Sequence, residues 1–164
     1  MPNVKPIPEN YRSLTPYLCV NDATRALDFY KRALGATEIS RHPTPDGKIA
    51  HAEMKIGDSV FMLSDEMPGA ACKSPQSLGG TPVSIWIYTE DVDSIFNRAV
   101  QAGATVKMPL ADMFWGDRFG AIQDPFGHSW SLATHKEDVA PDELQRRAQQ
   151  EMAKMAQRTQ KAKS

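Results

Sequence analysis

The sequence predicts an α+β fold of two tandem βαβββ modules that together form a curved mixed sheet, followed by a C-terminal helix. Three observations predict it. A strand–helix–strand pattern is written twice, about 69 positions apart, so Thr15 falls on Ser84, Tyr17 on Trp86, Asp22 on Asp91, Phe61 on Trp130 and Met62 on Ser131. Each copy places an aspartate just ahead of apolar residues at helical spacing, the signature of a capped amphipathic helix. Each copy closes with two strand segments joined by a turn signal, Gly57-Asp58 in the first and Asp124-Pro125-Phe126-Gly127 in the second.

In the first copy, Leu14–Val20 alternates as a strand and Asp22 caps a helix whose inner face is Ala26, Phe29, Tyr30, Ala33 and Leu34. Gly35 stops that helix, and strands are expected over Thr37–His42, Ile49–Ile56 and Ser59–Ser64. The second copy repeats the order. Val83–Thr89 is a strand, Asp91 caps a helix facing inward through Val92, Ile95, Phe96 and Ala99, and Gly103 ends it. Strands Thr105–Pro109, Arg118–Gln123 and Ser129–Ala133 follow. The organisation is thus an arm over 1–11 and a doubled domain over 12–135, with module one at 12–67, a connecting loop at 68–80 and module two at 81–135. A helical extension occupies 136–164. The connecting loop is rich in Gly, Ala, Ser and Pro and is expected to be mobile. Pro16 lacks an N–H, so its strand is expected at a sheet edge.

A four-stranded sheet with one helix buries only one face, so two such modules are expected side by side around a shared trough. Strand alternation turns Leu18, Val20, Ala52, Met54, Phe61, Leu63, Ile85, Ile87, Trp130 and Leu132 to the core. It turns Thr15, Tyr17, Cys19, His51, Glu53, Val60, Met62, Ser84, Trp86, Tyr88, Ser129 and Ser131 to the trough. Aromatic rings on a sheet face away from the core need a cover. Either an organic ligand covers them, or they pack against the other module or a second subunit.

Nineteen basic residues balance twenty acidic ones, so nothing in the charge favours nucleic acid or a membrane surface as partner. No segment reaches the roughly 18 apolar residues of a membrane span. The two cysteines, Cys19 and Cys72, fall in a strand and in the connecting loop. A structural disulfide is not expected, and the reducing cytoplasm is the expected compartment.

Candidate chemistry is sparse. His51 and Glu53 share one strand face, a spacing that suits a general base with its orienting carboxylate or two metal ligands. In the segment 113–120, Trp115 is placed to lid a pocket with Phe114, and Arg118 to meet an acidic group or to pin the loop through Asp117 or Asp124. There is no phosphate-binding glycine loop, Cys-x-x-Cys, His-Glu-x-x-His or nucleophile elbow, which weighs against nucleotide chemistry and serine or zinc hydrolysis. Beyond Lys136, Pro141-Asp142-Glu143 starts a helix with a narrow stripe of Leu144, Ala148, Met152 and Met155, expected to dock on the domain or a second subunit and to fray from Gln157.

The phrases LDFYKRALGA, HAEMKIGDSVFMLSDE, EDVDSIFNRAVQAGA and FWGDRFGAIQDPFGHSW, spread over about residues 12–135, resemble the vicinal oxygen chelate superfamily of glyoxalases, bleomycin-resistance proteins and dioxygenases. They are most similar to its PhnB-like branch. The resemblance implies that metal-using members draw one ligand from the first and one from the last strand of each module. Carried over by position these are Thr15, Met62, Ser84 and Ser131, none of them His or Glu, so no metal and no cofactor are expected. The implied function is binding of a small organic molecule, in the manner of drug or toxin sequestration, by a homodimer. The ligand-contacting set is Thr15, Tyr17, His51, Glu53, Met62, Ser84, Trp86, Trp115, Arg118 and Ser131. Two alternatives stand beside it: a lyase, isomerase or dioxygenase-like enzyme using His51 and Glu53 or a divalent metal held elsewhere, and a regulatory binding module without turnover.

Overall fold

The computed structural model describes residues 4–161, so the first three residues of the arm and the last three of the extension lie outside the described residues. Module one runs β1 (Tyr17–Val20), α1 (Ala23–Leu34), β2 (Thr37–Pro43), β3 (Ile49–Ile56) and β4 (Ser59–Asp65). A short helix α2 (Pro75–Leu78) interrupts the connection. Module two runs β5 (Ser84–Tyr88), α3 (Val92–Gln101), β6 (Thr105–Asp112), β7 (Asp117–Gln123) and β8 (Ser129–His135), and α4 (Pro141–Lys161) follows.

Each helix begins as the repeat requires. The Asp22 carboxylate accepts from the Arg25 N–H and the Asp91 carboxylate from the Ser94 N–H, satisfying donors a helix start leaves free. A second support is also repeated. Asp65 at the end of β4 accepts from the Ala23 N–H, and Thr134, the residue 69 positions on, accepts from the Val92 N–H. The repeat therefore encodes the junction of helix and last strand as well as the elements themselves.

The strands form two four-stranded mixed sheets, one in each half of the domain, ordered β1-β4-β3-β2 and β5-β8-β7-β6. In each half the first strand pairs in parallel with the last, and the other pairings are antiparallel. Both β1 and β5 are edges, as Pro16 foretells for the first. Helices α1 and α3 pack against one another, and one buried cluster draws from both modules. Its centre is aromatic: the Tyr30 ring lies 5.5 Å from Phe61 and 5.4 Å from Trp130, and Phe29 meets Phe126 edge-on. Asp124, in the turn before β8, locks this junction. Its buried carboxylate accepts from Tyr30 Oη and Trp130 Nε1, both at 2.8 Å, and from the N–H groups of Phe126 and His128. A carboxylate taken from water at this depth is tolerated because four donors replace its hydration.

Three expectations need correction. Three strands of module two are longer than the alternation suggested, with β6 reaching Asp112, β7 starting at Asp117 and β8 reaching His135, whereas the first strand of each module is shorter, Tyr17–Val20 and Ser84–Tyr88. The connecting loop is tied down. Ser74 caps α2, the Glu66 carboxylate accepts from the Ser74 N–H and Ser77 hydroxyl, and Gln76 donates to the Pro125 carbonyl. Composition suggested mobility there, whereas side-chain caps supply the order. Those same ties bring Cys72 against Cys19. Both remain free thiols, and burial, then the Cys72 contact, pushes the Cys19 thiol up to about 12. Finally, α4 is helical to Lys161, past the end expected at Gln157, with Leu144 and Ala148 of its apolar stripe half-buried and Met152 69% exposed.

Candidate ligand-binding site

A cavity of about 860 Å³ lies between the modules, along the free edges of β1 and β5. Consecutive residues of both strands line it, Pro16–Leu18 and Ser84–Tyr88. A wall made of neighbouring residues in a strand is an edge rather than a face, since side chains alternate between faces. The site is thus a cleft between two sheet edges rather than a trough walled by the outward faces of two sheets placed side by side. The β3–β4 hairpin closes one side, and the turn at His128 and Ser129 contributes from the other module. Tyr17, Trp86 and Tyr88 stand at 48%, 44% and 62% exposure around it, with Leu14 and Val83 also exposed.

The rings at the cavity continue outward across each sheet. On module one, Tyr17 meets His51 at 5.8 Å between ring centres, and His51 stacks towards His42. The Tyr17 hydroxyl and His51 Nδ1 are 3.5 Å apart, and His51 Nε2 lies 3.3 Å from Glu53. The arm returns over this face, where Tyr11 comes close to Glu53 and Arg12 pairs with Asp58. Tyr11, then His51 and Ser40, hold the Glu53 carboxyl below its ordinary range against the opposing effect of burial. Burial and that carboxylate in turn push Tyr11 up to about 12.

On module two, Trp86 stacks on Phe119 at 4.7 Å, Phe119 meets Trp115 at 5.9 Å, and Trp115 meets Phe114 edge-on. Behind these rings lies Asp117, 3% exposed, which accepts from Tyr88 Oη, Trp115 Nε1 and His135 Nδ1. Burial raises its pKa, but the bonds from His135, Tyr88 and Trp115 outweigh that and keep the carboxyl below its ordinary value. His135, bonded on its other nitrogen by Asp138, is raised.

Of the ten sequence-predicted contact residues, Tyr17, Ser84 and Trp86 line the cavity. His51 and Glu53 sit one and two steps behind Tyr17, Met62 pairs with Tyr17 in register, and Trp115 ends the module-two ring row. Thr15 donates to the Arg12 carbonyl, and Ser131 bonds Ser84. Arg118 does not join them. Strand alternation sends it to the helix side, where its guanidinium forks onto Asp93 at 2.6 Å and also reaches Asp112, so neither Asp117 nor Asp124 is its partner. The expectation overlooked Phe119, Asp117 and His135. Alternation through β7 places Phe119 opposite Ile122 and would have found it; His135 lies beyond the predicted end of its strand.

Residues 13–132 match the family model of the glyoxalase/bleomycin resistance protein/dioxygenase superfamily. The chain belongs to that superfamily. The uncharacterized protein Mb0911c of Mycobacterium bovis is 48% identical over 136 residues, covering 81% of this chain and 90% of that protein. Among solved structures, TioX from Micromonospora sp. ML1 is similar at a TM-score of 0.62 and 30% identity, covering 76% of this chain and 98% of TioX. The PhnB protein from Bacillus cereus shares the fold at a TM-score of 0.59 and 21% identity, over 75% of this chain and 99% of its own.

The four positions at which metal-using members carry ligands hold Thr15, Met62, Ser84 and Ser131 in this chain. The Ser84 and Ser131 hydroxyls bond each other at 2.9 Å, Thr15 is turned to a backbone carbonyl, and Met62 offers a thioether. Neutral hydroxyls and a thioether do not fit a divalent first-row metal. Among the described residues, no group of three or more His, Cys, Asp or Glu could hold a metal ion. No helix among them is long and apolar enough to cross a membrane.

Proposed function

We propose that this chain binds and sequesters a planar organic molecule in the cleft between β1 and β5, without a metal or other cofactor, as a cytoplasmic homodimer. One observation carries the reading: an 860 Å³ cavity between two free strand edges, walled by half-exposed Tyr17, Trp86 and Tyr88. Exposed rings of this size gain from stacking on a flat guest, and a cationic guest adds attraction to their faces. Membership of a superfamily that includes bleomycin-resistance proteins agrees with sequestration. Exposed Leu14 and Val83 beside the cleft support a second copy covering its rim.

Titration with ethidium, a flat aromatic cation, followed through its fluorescence, tests the reading. Saturable binding is expected, with Trp86→Ala weakening it about tenfold or more. Binding that ignores this substitution rejects the cleft, and sedimentation showing a monomer at all concentrations rejects the dimer.

A second reading is favoured by the chain of contacts Tyr17–His51–Glu53–Tyr11, which could orient His51 as a base in a lyase, isomerase or dioxygenase-like enzyme. Elemental analysis of protein purified without chelator separates the two. Stoichiometric zinc, nickel, manganese or iron that disappears in His51→Ala would establish the second and sink the metal-free reading.

A further inference from the structure

Asp117 is a buried carboxylate bonded to a ring of the cleft, and its three partners point in different directions. Tyr88 comes from β5 and lines the cavity, Trp115 from the turn before β7, and His135 from the end of β8. The Tyr88 ring is 62% exposed, so packing alone does not hold it. Its hydroxyl bond to Asp117 at 3.0 Å does. Trp115, held at 3.0 Å through its indole N–H, abuts Phe119, which supports Trp86 from behind. One carboxylate therefore fixes the wall ring directly and braces the stacking ring through two others.

The turn carrying Trp115 is gripped from its far side by the extension. The Gly116 carbonyl accepts from the N–H groups of both Lys136 and Glu137, and a Cβ at Gly116 would lie 2.2 Å from the Glu137 oxygen, so only glycine fits. Arg147 of α4 forks onto Glu137, bonds Glu143, and points one nitrogen at the Phe114 carbonyl. A surface turn presenting two aromatics is thus held by backbone, by salt bridges and by a buried acid.

Resting on the binding reading above, we infer that Asp117 is a positioning residue of the cleft, holding Tyr88 and Trp115 in the orientation a planar ligand meets. His135 completes the arrangement by giving the carboxylate a third donor. The physical gain is preorganisation. A ring ordered before binding loses less freedom when the ligand arrives, so affinity rises without any new contact to the ligand. Asp117 itself lies outside the lining of the cavity.

A double-mutant cycle tests it, using ethidium affinity of the full chain for wild type, Asp117→Asn, Trp115→Phe and the double variant. Trp115→Phe keeps an aromatic ring and removes only the indole donor. Each single substitution is expected to weaken ethidium by about threefold to tenfold, and the double by much less than the product, because both break one hydrogen bond. Tyr88→Phe, which leaves Asp117 in place, keeps the test alive should Asp117→Asn fold poorly, and it must weaken ethidium by about threefold. A merely structural role would lower the thermal midpoint of Asp117→Asn while leaving the affinity of folded protein unchanged and the cycle additive. That result overturns the inference and leaves the cleft standing. Absence of saturable ethidium binding by the wild type overturns the cleft and this role with it.

Discussion

The two modules share a scaffold and differ in what they display on it. Register makes the comparison residue by residue: Ala52 pairs with Leu63 in module one as Gly120 pairs with Leu132 in module two. His51 is therefore the counterpart of Phe119, Glu53 of Ala121, and Tyr17 of Trp86. The cross-strand pair is kept in both, Tyr17 with His51 at 5.8 Å and Trp86 with Phe119 at 4.7 Å, but it is polar in the first module and wholly apolar in the second. The positions that start the helices and fill the core were retained as a repeat. The outward face became a charged, hydrogen-bonded half opposite an aromatic half. A ligand bound as proposed would meet Trp86 and Tyr88 on one side and Tyr17, backed by the polar row, on the other.

The strongest way to break this comparison is to separate the modules. Asp124 accepts from Tyr30 of module one and Trp130 of module two, and its loss leaves three buried donors and one half-buried donor without an acceptor. Asp124→Ala should cost about 3 to 5 kcal/mol in urea unfolding. A loss below about 1 kcal/mol would mean that the aromatic packing and the bond between His128 and the Cys19 carbonyl suffice to join the modules.

Next in size is the asymmetry of the cleft. If module two supplies the stacking surface, Phe119→Ala should weaken ethidium about fivefold to tenfold, because Trp86 loses the ring behind it. His51→Ala, at the equivalent position, should change it by less than about threefold, since the imidazole backs Tyr17 at a greater distance. Equal effects would show that the ligand contacts both halves alike.

Much of this is legible in the sequence. The doubled pattern specifies the element order, both helix caps and the hairpin turns, because those depend on local residues such as Asp22, Asp91 and Gly57. The edge position of β1 could be read from Pro16. What could not be read depends on contacts distant in sequence. Nothing local marks Asp124 as the acceptor for Tyr30, 94 positions away, or distinguishes its role from that of Asp117. Alternation says which side a residue takes but not how two sheets meet, so the cleft was expected on a face and lies between edges. Arg118 shows the limit of motif reading: aromatic and glycine neighbours suggested a site, whereas its strand phase sends it to Asp93.

pH should separate the modules further, with smaller effects. In module one the Arg41 guanidinium, helped by Lys31 and opposed by burial, lowers Glu38 to about 2 from an ordinary value of 4.5. A depressed carboxyl contributes stability above its unfolded value and loses it as pH falls through the folded one. In module two the Asp117 and Asp138 carboxylates raise His135 above its ordinary 6.5. That contribution is complete below the unfolded value and disappears as pH rises through the folded one. Thermal midpoints against pH should therefore show the Glu38→Gln deficit shrinking between 4.5 and about 2, and the His135→Gln deficit shrinking above 6.5. Deficits that shrink together on one side of neutrality would contradict the assignment of one group to each module.

The smallest effect is expected where a metal-using relative would carry ligands. Ser84 is exposed and Ser131 is 6% exposed, and their hydroxyls bond each other across β5 and β8. At the matching place in module one no such bond exists, since Thr15 donates instead to the Arg12 carbonyl at 3.3 Å. Ser84→Ala removes one neutral hydrogen bond beside an open cleft, where water can reach the hydroxyl left on Ser131. It should cost about 0.5 to 1 kcal/mol in thermal unfolding, and Thr15→Val less, because its bond is longer and exposed. Ethidium affinity should hold in both, as a planar cation gains little from a neutral hydroxyl at the rim. A loss of several kcal/mol, or of binding, in Ser84→Ala would turn that pair from a remnant of the fold's symmetry into a working part of the cleft.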